Sequence, residues 1–573
     1  MPKIKIDKTT LYQLMDFQGN LEQLQNLAWS AKAEISGSEQ DEEITIDFAD
    51  TNRPDLWSVE GLSRQLKIFQ QGKEILYPCL EKAPSPEAKV FVDSLVTNIR
   101  PYIGMFLCKL PPITEKSLKN LIQTQEKLAE NYGKRRKLVS IGIYPAEKIN
   151  FPVHYRAVES DQMKFVPLGG EQPMTLGEII EKHPKGIEYA YTLQDAKLFP
   201  VIIDDQGQPL SFAPIINSRT TGEVTVGDSY IAVEATGMTK KMVDLVLVIL
   251  ALNLTDQGGE ITRMEVIAPH GKSFVHPVSE REEISVYVPH AHSLLGQEDL
   301  GIEIISSSLK KMGYRISRST PNEIFAQIPI FRQDVMHEVD LIEDIAIALE
   351  YNEFSPLPLE EYTSGGLSPT QRRANTLRQI SIGLGFVEFM GNMLTSKETL
   401  ELITQNISNP VEIDNPMTKL YNCLRDYLFP GLVDVEAHNS KAEYPHYIFE
   451  VGEVNKKYIN NQLVETETLL SAAYLIANPE ATFSQMHSVL STIFSYLSLD
   501  FNLRELEIPF LISGRSAEIL VTDQTSGKSF SLGFLGEVHP RILDKLGIHM
   551  PTVIMELENI ENLFTTIGDL DEG

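Results

Sequence analysis

Polar and apolar positions follow two rhythms near the start of the chain. In Asn20–Ile35, Leu21, Leu24 and Leu27 recur every three residues and predict a helix; in Glu43–Phe48, Ile44, Ile46 and Phe48 alternate with polar residues and predict a strand. The turn-rich Ala49–Leu56 follows, and Pro78–Pro86, with three prolines, reads as a linker. Residues 1–87 are expected to form a small α+β domain. Beyond them a polar helix is predicted over Thr114–Tyr132 and strands over Val139–Ile143 and Phe199–Ile203. A turn, two strands and a helix then fill 212–254, making 88–275 a second α+β domain. Helices at His290–Leu295 and Ile302–Met312 and a strand in Glu323–Ile330 mark a small mixed domain over 276–358. A helix at Thr370–Gly383 and strands at Tyr447–Val451 and Phe530–Leu535 place an antiparallel-sheet domain over 359–573. The fold class expected is multidomain α+β, with no internal repeat.

The sharpest local pattern lies in Phe331–Tyr351, FRQDVMHEVDLIEDIAIALEY. A helix from about Met336 to Leu349 puts Val339, Ile342, Ala346 and Leu349 at core spacing and groups Asp340, Glu343 and Asp344 on another face, with Asp334 just ahead. Clustered carboxylates repel one another unless a hard cation such as magnesium faces them; the plainer reading is a solvated acidic face, which His337 would share as a surface residue.

Composition narrows the classes. With 42% hydrophobic and 23% charged residues the 573-residue chain is ordinary globular protein, long enough for about four domains. A net charge of -29 excludes an all-round basic wrap on nucleic acid, so any RNA contact must be local. The best candidate is the cluster Lys134–Lys137, KRRK, whose plainer reading is a solvated turn. The three cysteines, Cys79, Cys108 and Cys423, are too scattered for a zinc site or a disulfide framework. The apolar run Met242–Leu254 is too short to span a bilayer, and a soluble cytoplasmic protein with no membrane or DNA partner is expected.

Several motifs, in order along nearly the whole chain, carry a resemblance to a known family. They are DTNRPDL (Asp50–Leu56), PIINSRTTGEVTV (Pro214–Val226), IAVEATG (Ile231–Gly237), IPIFRQDVMHEVDLIEDIAIALEYNEF (Ile328–Phe354), IDNPMTKLYNCLRDYLFPGL (Ile413–Leu432), HYIFEVGEV, ISGRSAEI and LGFLGEVHP. With these the chain resembles the beta subunit of phenylalanyl-tRNA synthetase, of the shorter type found in archaea and eukaryotes. The resemblance implies that residues 88–275 are an editing domain and that 276–358 is a winged-helix-like, magnesium-bearing domain. Asp334, Asp340, Glu343 and Asp344 would hold a structural Mg2+ shared with the alpha subunit. It further implies a tetramer of two alpha and two beta chains that binds tRNA(Phe), with ATP used by the alpha subunit.

The last domain resembles class II synthetases without their catalytic motifs. Its GxG is Gly383-Leu384-Gly385, and the arginine expected three residues beyond the second glycine is absent; Arg425 and Arg515 read most simply as partners of nearby carboxylates. Any chemistry of the chain's own would then be hydrolysis of mischarged tyrosyl-tRNA(Phe), since a phenylalanine pocket rejects a substrate that merely adds a hydroxyl only weakly. By resemblance Glu234 accepts the tyrosine phenol, Thr236 positions the attacking water or the ester, and Asn217 adds a polar contact. From the residues alone, Glu234 and Thr236 are the outward positions of an alternating strand. One departure stands out: Gly142-Ile143-Tyr144-Pro145 replaces the family's Gly-x-His-Asp-like segment. The alternative is a noncatalytic assembly and tRNA-positioning subunit with an inactive editing pocket.

Overall fold

A computed structural model describes residues 2–565 apart from Asp195, Leu357, 359–361, 461–462 and 523–528. Its contacts divide the chain into two compact units, 1–357 and 358–573, and the boundary expected at 358/359 borders residues outside those described.

The first unit carries three principal sheets. Alternation in Lys3–Asp7 and Glu43–Phe48 buries Ile4, Ile6, Ile44, Ile46 and Phe48 in a three-stranded antiparallel sheet completed by Ala33–Ser36. Helix Leu21–Ala28 starts in a capping box between Asn20 and Gln23. The large sheet has ten strands; at one end Tyr230–Gly237 lies between Tyr102–Lys109 and Val139–Pro145, antiparallel to both. Behind it runs helix Lys240–Asp256, in which every residue from Leu245 to Leu254 is buried. A third sheet, Glu283–Tyr287, Glu323–Gln327 and Arg315–Ser319, packs with helices Val288–Leu295, Ile302–Lys311 and Glu338–Leu349 around a core of its own.

The N-terminal sheet does not have a separate core. Its apolar residues run without a break into those of helix Lys240–Asp256, and Cys79 and Leu80, inside the segment read as a linker, belong to the same cluster. Three prolines stiffen that segment, yet two apolar side chains anchor it. The polar seam beside this core is closed by Arg64. Fully buried, it donates to Asp256 Oδ2 (2.8 Å), Asn253 Oδ1 (2.7 Å) and Tyr77 Oη (2.9 Å), while Tyr77 donates to Asp256 Oδ1 (2.7 Å).

The second unit is a seven-stranded sheet, antiparallel except for the edge strand Val387–Glu388. Alternate residues of its strands enter opposite cores: Phe449, Val451 and Tyr474 pack with helices Pro369–Gly383 and Phe483–Tyr496, whereas Val454, Ala473 and Leu475 pack with helix Phe429–Asn439. The expected strand at Tyr447–Val451 is His446–Asn460, paired along its length with Leu463–Ala477. Alternation marks only its buried half, and the polar residues beyond Asn455 extend the hairpin. Among the described residues no helix is long and apolar enough to cross a membrane.

Because Arg64 neutralises the partly buried carboxylate of Asp256 and bonds two further groups, Arg64→Ala is expected to cost about 2–4 kcal/mol, whereas Tyr77→Phe, which removes one neutral donor, should cost about 1 kcal/mol. Denaturant melts of the two variants check the ranking.

Candidate functional site

Glu234 sits opposite Gly142 on one neighbouring strand and Met105 on the other, and is 2% exposed. Beside it a pocket of about 210 Å3 opens between strand Val139–Pro145 and the segment Ser211–Asn217. Ser140, Gly142, Asn217 and Glu234 form its polar wall, and Arg136 and Lys185 also border it. Tyr144 Oη donates to Glu234 Oε2 (2.8 Å), with Ser211 Oγ 3.0 Å from the same phenol, but Glu234 Oε1 is buried without a partner. Burial pushes the Glu234 carboxyl up to about 7, against the Tyr144 hydrogen bond and the charge of Arg100.

Arg100 supports this wall from behind. It donates to Thr236 Oγ1 (2.9 Å), the Thr236 carbonyl (2.8 Å) and Ser140 Oγ (3.2 Å), and burial brings its pKa down to about 10. Thr236 is therefore committed to Arg100 and Ser140 and does not line the pocket, in contrast to Asn217 and Glu234. Ser140 and Ser211 are the hydroxyl residues that line the cavity. The KRRK cluster also lands here: Lys134, Arg135 and Arg136 are three successive left-handed residues, and Arg136 stacks 4.0 Å over the Tyr189 ring and donates to the Ile215 carbonyl (2.9 Å). Arg135 and Lys185 remain about half exposed or more.

Asp334, Asp340, Glu343 and Asp344 line a second pocket together with Lys32, Asp50, Arg53 and Arg332. The helix begins at Glu338 rather than Met336, and its buried apolar residues are Leu341, Ile342, Ile345, Ala346 and Ala348; of the positions expected inside, Val339 is instead 42% exposed. Asp344 consequently turns inward, where Tyr314 donates to it (2.6 Å) and Arg332 bridges it to Asp334. Burial opposes the charge of Asp334, but Arg53 and Arg332 hold its pKa down at about 2. Asp340 Oδ2 accepts the Met336 and His337 amides (2.7 and 2.8 Å), so His337 is the helix cap. Lys32 Nζ bridges Glu343 (2.7 Å) and Asp50 (3.0 Å). All donors are carboxylate oxygens, the kind a hard divalent cation takes, but among the described residues no three His, Cys, Asp or Glu side chains are arranged to hold a metal ion.

In the second unit Gly383-Leu384-Gly385 lies at the C-terminal end of helix Pro369–Gly383, where carbonyls rather than amides are left over, so it cradles no phosphate. Arg425 pairs with Glu450 (2.7 Å) and Arg515 with Glu537 (2.8 Å). The sequence reading missed Ser140 on the pocket, and Tyr144 and Arg100 as the residues that hold its wall from behind. Only the glycine two residues before Tyr144 hinted at a close approach there.

A profile for the tRNA synthetase B5 domain matches residues 284–351, and one for the phenylalanyl tRNA synthetase beta chain CLM domain matches residues 355–559. The phenylalanine–tRNA ligase beta subunit of Borreliella afzelii is 36% identical over 99% of this chain and 100% of its own length, and that of Borrelia recurrentis 35% identical over 98% and 100%. An N-terminal fragment of the phenylalanyl-tRNA synthetase beta subunit of Pyrococcus horikoshii superposes with a TM-score of 0.57 at 35% identity, covering 61% of this chain and 99% of the fragment. With identity of this order sustained from end to end, the chain belongs to the family of phenylalanine–tRNA ligase beta subunits.

Proposed function

We propose that this beta subunit hydrolyses tyrosine wrongly attached to tRNA(Phe) in the pocket at Glu234, while an alpha partner attaches phenylalanine at the expense of ATP. The observation that carries this reading is Glu234 Oε1, a buried carboxylate oxygen with no partner in a pocket sized for an amino-acid side chain. An unpaired buried acceptor costs free energy that a ligand's hydroxyl recovers, and a site built around such a bond rejects the analogue lacking the hydroxyl by roughly 10⁴-fold or more. Phenylalanyl esters lack it; tyrosyl esters have it. Hydrolysis adds one water to the ester carbonyl, and the terminal ribose oxygen leaves with a proton. Ser140 and Asn217 are the pocket groups that orient water and ester, and Thr236 holds Ser140 in place from behind. Lys134, Arg135 and Lys185 form a local basic rim suited to the phosphates of the tRNA end.

The remaining roles follow the same reading. The second unit is a class II synthetase-like domain without catalysis of its own, its arginines spent on Glu450 and Glu537. It joins a cytoplasmic tetramer of two alpha and two beta chains. Mg2+ is held at Asp334, Asp340, Glu343 and Asp344 in the assembled enzyme, where it supplies charge neutralisation rather than a reactive centre. The donor chemistry of those four residues fits that ion. In the chain alone Lys32, Arg53 and Arg332 share the neutralisation.

Two outcomes test these assignments. Tyrosyl-tRNA(Phe) hydrolysis by the assembled enzyme should rise with pH through about 7, because the ionised Glu234 is the acceptor and protonation below that value removes it. Glu234→Gln should lower hydrolysis about tenfold to a hundredfold and flatten that limb. Equal background hydrolysis by both proteins leaves the noncatalytic assembly reading. For the metal, Asp340→Asn with Glu343→Gln should raise the Mg2+ concentration needed for alpha–beta assembly by at least about tenfold in analytical ultracentrifugation. An unchanged requirement removes the ion from this pocket.

A further inference from the structure

The pocket's carboxylate already holds a phenol, the protein's own. Tyr144 is wholly buried, and it occurs where the sequence departs from the Gly-x-His-Asp-like pattern. Gly142 and Tyr144 point to the same face of strand Val139–Pro145, and Gly142 pairs with Glu234. A Cβ on Gly142 would lie 2.2 Å from the Tyr144 phenol oxygen and 2.4 Å from Glu234 Oε2. The missing side chain is thus what lets the phenol lean along the strand and reach the carboxylate, and Ser211 meets the phenol from the next segment.

We infer that Tyr144 is a positioning residue for substrate selection: by occupying Glu234 Oε2 it leaves Oε1 as the carboxylate's open acceptor, matched to one hydroxyl donor, the phenol of a tyrosyl group. This rests on the editing reading above and adds what sets its specificity. The other charged and titratable groups around Glu234 are Arg100 and Tyr155 behind the strand, and Arg136 and Lys185 on the pocket, with Glu130 next to Arg136. None of them replaces the Tyr144 donor on Oε2. Without that donor Oε2 loses its Tyr144 hydrogen bond, the ionised form is further disfavoured, and a protonated carboxyl distinguishes a donor hydroxyl from a bare ring less well.

The test is binding of 3′-tyrosylamino-3′-deoxyadenosine and of its phenylalanyl counterpart to the assembled alpha–beta enzyme, with the alpha site blocked by a phenylalanyl-adenylate analogue. The wild type should prefer the tyrosyl compound, the preference growing as pH rises through about 7. Tyr144→Phe keeps the ring and should lower the preference about tenfold and move its midpoint up by about one to two pH units. Gly142→Ala, which pushes the phenol away, should act in the same direction. Unchanged preference and midpoint in both variants, or no tyrosyl preference in the wild type, overturns the inference. Hydrolysis of tyrosyl-tRNA(Phe), measured separately, tells the two readings apart: a Tyr144-dependent preference without hydrolysis retains the selection device and removes the editing reaction, whereas hydrolysis with an unchanged preference does the reverse.

Discussion

Burial of helix Lys240–Asp256 decides where the polar chemistry of the first unit can go. From Leu245 to Leu254 the helix is enclosed on all sides, and a fully buried aliphatic side chain is worth about 1.5–3 kcal/mol. It packs on strands Tyr102–Lys109 and Tyr230–Gly237 and joins the core of the N-terminal sheet, so the large sheet has one face sealed in hydrocarbon. Val233 and Ala235 take that face. By the period-two rule Glu234 and Thr236 must then point to the other, where Gly142, Ser211 and Arg100 wait. The dry helix therefore sets the orientation of the pocket, although it contributes no residue to it.

Elements with a clean rhythm were legible in the sequence. Strand Glu43–Phe48 has the bounds that its alternation predicts, and the helix at 302–311 lies within a residue of its expected position, whereas the helix expected over Asn20–Ile35 stops at Ala28 and gives way to strand Ala33–Ser36. What failed was anything set by a long-range partner. Asp344 stands at solvent-facing spacing beside Asp340, yet Tyr314 and Arg332 draw it inward, and no local pattern of the helix records them. Thr236 looks like a second pocket residue because it is two positions from Glu234, but Arg100, 136 residues away, claims its hydroxyl. Tyr144 read as the loss of a His and an Asp; in space it is a gain, since its phenol bonds a carboxylate 90 positions on.

The chain's acidity conceals several buried arginines. Against a net charge of -29, Arg53, Arg64, Arg100 and Arg332 are all nearly inaccessible. Guanidinium suits this use because it stays charged when buried and offers several donors in one plane. Arg53, Arg64 and Arg332 each meet a carboxylate directly and close a seam between elements. Arg100 is held instead by hydroxyls and carbonyls, and its charge reaches Glu234 only through space.

That difference separates the two carboxylate sites by purpose. Asp334 is buried with a guanidinium against it, so its proton affinity falls and its charge is permanent: it contributes stability at every pH above the ordinary carboxylate range and surrenders it only as the pH drops towards about 2. Glu234 is buried with its neutralising cation set back and one oxygen unpaired, so its proton affinity rises to near neutrality. Supplying Glu234 with a direct arginine would repair the unpaired oxygen and remove the acceptor in the same step. With both oxygens paired Glu234 would offer a neutral hydroxyl no acceptor; under the proposed editing function, the free energy that the fold forgoes at Oε1 is what a tyrosyl hydroxyl recovers on entering.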